Sequence, residues 1–225
     1  MRKRLLRIYE ALYAHFGPQR WWPADGAFEV VVGAILTQNT SWRNVEKAMV
    51  NLRTTEVLSP GRMLQLKEEE LARLIRPSGT YRVKANRLLR FLSFLKEEYG
   101  SDLQAMLHQP MAKVRAELLQ VKGIGPETAD SILLYAGGYP IFVVDAYTKR
   151  ILSRHGLARE GSSYQELQGL LMGALPADGP LFNEYHALLV RLGKSRCLGR
   201  PRCDGCVLEP MLDDSSWRKP SSGRR

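Results

Sequence analysis

The chain has 225 residues, with 33 Lys and Arg against 23 Asp and Glu and a formal charge of +10. Hydrophobic residues at 44% and charged residues at 25% are ordinary for a globular chain, and they exclude disorder over most of its length. The longest apolar run, 132–144, is interrupted by Gly137, Gly138 and Pro140 and is too short to span a membrane; Arg7 and Glu10 likewise break any signal-peptide core after the basic start. These features predict a cytoplasmic protein without membrane contact. The basic balance favours an anionic partner, most commonly nucleic acid.

Most elements read as helix. Leu5, Ile8, Tyr9, Leu12, Tyr13 and Phe16 recur at helical spacing, and Gly17-Pro18 stops that element. The apolar stretch 28–36 could form a strand by composition; we read it as a buried helix, followed by the polar turn 37–41. A second helix follows, capped near Thr40 or Ser41, with Val45, Ala48, Met49 and Leu52 on one face. Ser59-Pro60 has the form of a helix start. Residues 67–75 predict a helix that ends at Arg76-Pro77-Ser78-Gly79, and 83–98 a strongly periodic one through Ala85, Leu88, Leu89, Leu92 and Leu95. Another spans about 111–120. No segment shows convincing strand alternation, so the predicted class is all-α. The Ser-, Pro- and Arg-rich tail from Asp213 is expected to be disordered.

The most informative stretch is Leu118-Leu119-Gln120-Val121-Lys122-Gly123-Ile124-Gly125-Pro126-Glu127-Thr128-Ala129. One helix is expected to end at Gly123 and the next to start at Pro126. Positive φ at Gly123 and Gly125 would let backbone N–H groups converge on a phosphate without reading base identity, with Lys122 adding charge beside them. A plain packing corner would need the same glycines, but the full pattern L-x-x-V-K-G-I-G-x-x-T-A is far more specific.

That pattern resembles the helix-hairpin-helix of the endonuclease III superfamily of DNA glycosylases. Ile141 to Arg150, containing Asp145, resembles the superfamily's catalytic-aspartate motif at the expected distance beyond the hairpin. Gly33 to Thr40 resembles its Gln-bearing loop, and the wording of Leu36 to Trp42 leans toward the endonuclease III-related, 3-methyladenine glycosylase-like branch. The resemblance covers residues 28 to about 212. It implies a two-lobed all-α fold with a central DNA-binding cleft: a six-helix lobe over 20–138, and a second lobe from 1–19 with 139–212. It also implies a monomer acting on double-stranded DNA, with the damaged nucleotide flipped out, because the glycosidic bond is buried inside a duplex.

Carried over residue by residue, the resemblance makes Asp145 the catalytic carboxylate. Such a group would stabilise positive charge developing on the sugar and orient a water. Bifunctional members carry a lysine two residues after the second hairpin glycine, which attacks C1′ and forms a Schiff base. Glu127 stands there in this chain, and a carboxylate forms no imine. Gln38 and the segment Gly79-Thr80-Tyr81 match loops that fill the gap left by the flipped base. The DNA contacts implied are therefore Gln38, Thr80, Tyr81, Lys122, Gly123, Ile124 and Gly125, with Arg196, Arg200 and Arg202 of a basic loop. The four histidines form no ligand-spaced group and are read as ordinary interior or surface residues.

All three cysteines lie in that loop, as Cys197-x5-Cys203-x2-Cys206, which suggests a metal site over a disulfide framework. The family pattern is C-x6-C-x2-C-x5-C around a [4Fe-4S] cluster. Here one spacing is a residue short and Leu212 takes the last cysteine's place, leaving Asp213 as the nearest fourth donor. Zinc would accept the same thiolates, and an empty relic is the third possibility. The leading functional expectation is a base-excision DNA glycosylase with weak or no lyase activity. The alternatives are a bifunctional glycosylase/AP lyase using another amine, and a non-catalytic DNA-structure binder that keeps only the hairpin.

Overall fold

A computed structural model describes residues 1–212; Asp213 and the tail predicted to be disordered lie outside them. The described residues are all-α, with twelve α-helices, two 3-10 turns and one π-helical stretch, and no strand among them. Two compact units result: Trp22–Tyr139, and Met1–Trp21 together with the described residues from Pro140 onward.

The first unit contains α2 (Ala27–Leu36), α3 (Trp42–Thr54), α4 (Pro60–Leu64), α5 (Glu68–Leu74), α6 (Tyr81–Tyr99), α7 (Leu103–Leu107), α8 (Met111–Gln120) and α9 (Pro126–Ser131). This is eight helices where six were expected. Two of the eight, α4 and α7, are single turns with side-chain caps: Ser59, already legible as a helix start, accepts from Arg62 N, and Asp102 from Ala105 N. In α2 every residue from Val30 to Leu36 is buried. Val30-Val31-Val32 would favour a strand by propensity, but a segment covered on all sides satisfies its backbone best as a helix. Ser41 takes the N-cap position of α3, although its side chain makes no capping bond. Buried Ala85, Leu88, Phe91, Leu92 and Leu95 anchor α6 in this core.

The second unit packs α1 (Arg2–Phe16) with α10 (Ala146–Arg154), α11 (Tyr164–Ala174) and α12 (Gly179–Ser195). Leu5, Ile8 and Leu12 form the buried stripe of α1, each worth roughly 1.5–3 kcal/mol of hydrophobic stabilisation. The Tyr185 hydroxyl donates to Leu5 O at 2.8 Å, so this fully buried ring keeps a partner for its polar end. The run Ile141–Val144 is buried but belongs to no helix or strand, and it delivers the chain to α10. No helix among the described residues is long and apolar enough to cross a membrane.

Candidate active site

The hairpin joins α8 to α9. The first helix stops at Gln120, three residues before Gly123, and Ile124 N donates to Val121 O at 2.9 Å to close the turn. Gly123 has φ +102°, and a Cβ added there would lie 2.5 Å from Arg87 Cγ; both facts demand glycine. Gly125 differs from expectation. It is extended at φ −94°, ψ 178°, and a Cβ there would meet nothing within 4 Å. The cause is Pro126, whose ring excludes helical geometry from the preceding residue. Ile124 also departs from its expected role, because its side chain is buried and its N–H is held inside the turn. Lys122 is exposed. Across the hairpin Arg115 grips fully buried Asp130 bidentately, at 2.7 and 3.2 Å, fixing α8 against α9.

Gln38 docks onto this hairpin. Its amide nitrogen donates to Gly123 O at 3.1 Å and to Thr128 Oγ1 at 2.9 Å, and its oxygen accepts from Arg87 Nη1. Thr80 is exposed with φ +38°, a left-handed conformation for a β-branched residue. Tyr81 opens α6 half-buried, with the Arg82 guanidinium 6.0 Å from its ring centre. Lys84, one turn further, is buried and donates to Leu36 O at 2.9 Å and Ser78 O at 2.6 Å. Desolvation, reinforced by Arg87, lowers its pKa to about 8. Glu127 lies exposed in the first turn of α9.

Asp145 caps α10 in the other unit, its Oδ1 accepting from Thr148 N at 2.7 Å. Its Oδ2 lies 3.6 Å from His186 Nε2, an ion-pair distance longer than a hydrogen bond. Burial alone would raise the Asp145 pKa. The His186 imidazole and the Thr148 N–H and hydroxyl outweigh it, and hold the carboxyl below its usual range. A partly desolvated carboxylate that stays ionised is suited to meet developing positive charge. His186 reaches this place because α12 lies close against α10: a Cβ on Gly193, seven residues on, would collide with the Tyr147 ring. The reading of every histidine as an ordinary residue is thus corrected for His186, which no spacing rule could pair with an aspartate on another helix. Lys84 and Arg87 belong to this site as well, outside any motif. For Lys84 the signal existed, since it lies four residues before Leu88 on the apolar stripe of α6.

The family model described as HhH-GPD superfamily base excision DNA repair protein matches residues 32–177, a span that includes the Gln38 loop, the hairpin and Asp145. The chain belongs to this superfamily, as a DNA repair glycosylase. Among HhH-GPD relatives, the candidate DNA repair glycosylase MJ1434 of Methanocaldococcus jannaschii is 46% identical over 91% of this chain and 94% of its own length. Endonuclease III of Thermotoga maritima is 32% identical, covering 81% of this chain and 80% of its own. The Helicobacter pylori 3-methyladenine DNA glycosylase MagIII, solved bound to 1,N6-ethenoadenine, superposes with TM-score 0.75 at 28% identity, over 84% of this chain and 97% of that one. A non-covalent endonuclease III–DNA complex shares the fold, with TM-score 0.80 at 23% identity over 94% and 95% of the two chains.

The cysteine loop, beyond the span that the family model matches, is held by α10. Arg150 donates to Cys197 O at 2.7 Å and Gly193 O at 3.0 Å, and Arg154 to Leu198 O at 2.6 Å and Gly199 O at 2.8 Å. Cys197, Cys203 and Cys206 line one small recess with His155, Arg196, Arg202 and Leu212. Burial first, then Cys206 and Cys197, push the Cys203 thiol up. Leu212, standing where the family pattern has its fourth cysteine, presents hydrocarbon to the same recess. Among the described residues no group of His, Cys, Asp or Glu is arranged to hold a metal, so the donor set does not fit a cluster ligated by four cysteines. Asp213, the expected fourth donor, lies outside the described residues. Arg196, Arg200 and Arg202 are exposed, and the loop is basic.

Proposed function

We propose that this glycosylase is monofunctional: it flips a damaged base out of double-stranded DNA and releases it by attack of water, with alkylated purines as the substrate class. Glu127 carries the reading. It occupies the position where bifunctional relatives keep their imine-forming lysine, and a carboxylate has no nitrogen with which to make that intermediate. Neither neighbouring lysine is a ready substitute. The Lys84 ammonium is buried and engaged by two carbonyls, and Lys122 lies on the opposite side of the hairpin turn from position 127.

In this reaction the C1′–N bond breaks with its electron pair leaving on the base, and positive charge develops on the sugar. Ionised Asp145 stabilises that charge and orients a water, whose oxygen bonds to C1′ as the carboxylate takes its proton. Thr148 and His186 keep Asp145 ionised before the step. An alkylated purine that is already cationic leaves as a neutral base, which lowers the demand for a general acid. The likeness to MagIII at 28% identity supports this substrate class. Lys122, Arg196, Arg200 and Arg202 would contact the phosphate backbone, which positions the duplex without reading sequence.

The test is a panel of duplexes carrying alkylated purines, oxidised pyrimidines or mismatches, assayed for base release and for strand cleavage with and without alkali. The expected pattern is release of an alkylated purine, with breaks appearing only after alkali and little adduct trapped by borohydride. Efficient trapping would establish the bifunctional alternative instead.

A further inference from the structure

Three loops of the Trp22–Tyr139 unit converge on one face of α6. Lys84 is 1% exposed, yet it carries a charge into the core. Its ammonium donates to the carbonyl of Leu36, the last residue of α2, and to that of Ser78, the last residue of the 3-10 turn Arg76–Ser78. Each carbonyl stands immediately before a loop: Thr37–Ser41 in one case and Gly79–Thr80, leading into Tyr81, in the other. Arg87, three residues along, shares this face of the helix. Its aliphatic stem lies over Gly123, in the space a Cβ would fill, and its guanidinium donates to Gln38 Oε1. Gln38 completes the circuit by donating to Gly123 O and Thr128 Oγ1.

We propose that Lys84 and Arg87 are positioning residues which hold the Gln38 loop, the 79–81 loop and the hairpin in a single register for DNA. An uncharged chain of similar length would fill the Lys84 space at lower desolvation cost. What the ammonium adds is two directed bonds to two separate loop stems. The lowering of its pKa to about 8 shows how strongly burial opposes the charge that these bonds retain. Glycine at 123 has the same logic, since any side chain there would displace Arg87 and with it the partner of Gln38. Held this way, the three loops meet the duplex already arranged, and binding does not have to order them one by one.

The proposal rests on the reading that these loops meet DNA, and the experiment separates the two. Fluorescence anisotropy is measured for the full chain on a duplex containing a stable abasic-site analogue and on the same duplex intact. Wild type should prefer the analogue. Lys84→Met and Arg87→Met, with helical circular dichroism retained, should each lose at least about tenfold of that preference, equivalent to about 1.4 kcal/mol. Arg87→Lys should restore part of it. Because Arg87 acts through Gln38, the double variant Gln38→Ala/Arg87→Met should discriminate no worse than Gln38→Ala alone. Additive losses, or a preference unchanged in variants that only melt earlier, would overturn the proposal and leave both residues as structural clamps. If Lys84→Met does not fold, half-buried Arg87 carries the same test. A wild-type protein that binds neither duplex refutes the DNA reading before any variant is compared; one that binds both equally keeps DNA binding but denies these loops a role at the lesion, and the proposal falls in either case.

Discussion

The two hairpin glycines should respond oppositely to substitution. At Gly123 an alanine would have to adopt φ +102°, and its Cβ would lie 2.5 Å from Arg87 Cγ and 2.9 Å from Cδ and Nε. The backbone strain costs about 1–3 kcal/mol. Moving Arg87 aside adds the loss of its bond to Gln38, about 1 kcal/mol. Gly123→Ala should therefore destabilise the chain by about 2–4 kcal/mol, lowering Tm by roughly 4–16 °C at this size. At Gly125 the extended backbone accepts any residue and the space is open, so Gly125→Ala should stay within about 1 kcal/mol of wild type, if anything on the stable side. Paired thermal or urea melts of the two variants, followed by anisotropy on undamaged duplex, make the measurement. Equal destabilisation at both positions would refute the geometric reasoning. Preserved DNA affinity in a folded Gly123→Ala would reduce the hairpin to a packing corner.

Asp145→Asn should abolish base release while binding to undamaged duplex stays near wild type, because the charge it meets develops only during reaction; a loss below about tenfold, ~1.4 kcal/mol, argues against catalysis. The folded-state pKa of Asp145 is depressed, so its ionised form and the stability linked to it persist at neutral pH and are lost as pH falls through the folded value. The acid limb of the single-turnover pH profile should accordingly lie below the usual carboxylate range. His186→Gln leaves burial less opposed and should move that limb upward; an unmoved limb would deny His186 any hold on Asp145. Leu212→Cys should take up more iron and sulfide than wild type on anaerobic reconstitution, read as absorbance near ~400 nm. Equal and substantial loading would mean that another donor already closes the site, and no loading of either protein would make the loop a relic.

The amino-acid sequence determined the helical class and the positions of the main helices as far as the hairpin, because apolar spacing, Ser59-Pro60 and the glycine–proline hairpin act through neighbours a few residues away; α11 and α12 were not located by it. It also determined which chemistry is open at position 127, since side-chain identity alone denies Glu127 an imine. Residue spacing could not supply His186 beside Asp145, or Lys84 and Arg87 beneath three loops, because those pairings join separate helices and depend on where close packing lets them cross. Gly125 failed for a local reason that was available: Pro126 already dictated its extended backbone. Gly123 required the tertiary structure as well, since its need for a missing side chain comes from Arg87, 36 residues earlier in the chain, lying where that side chain would be.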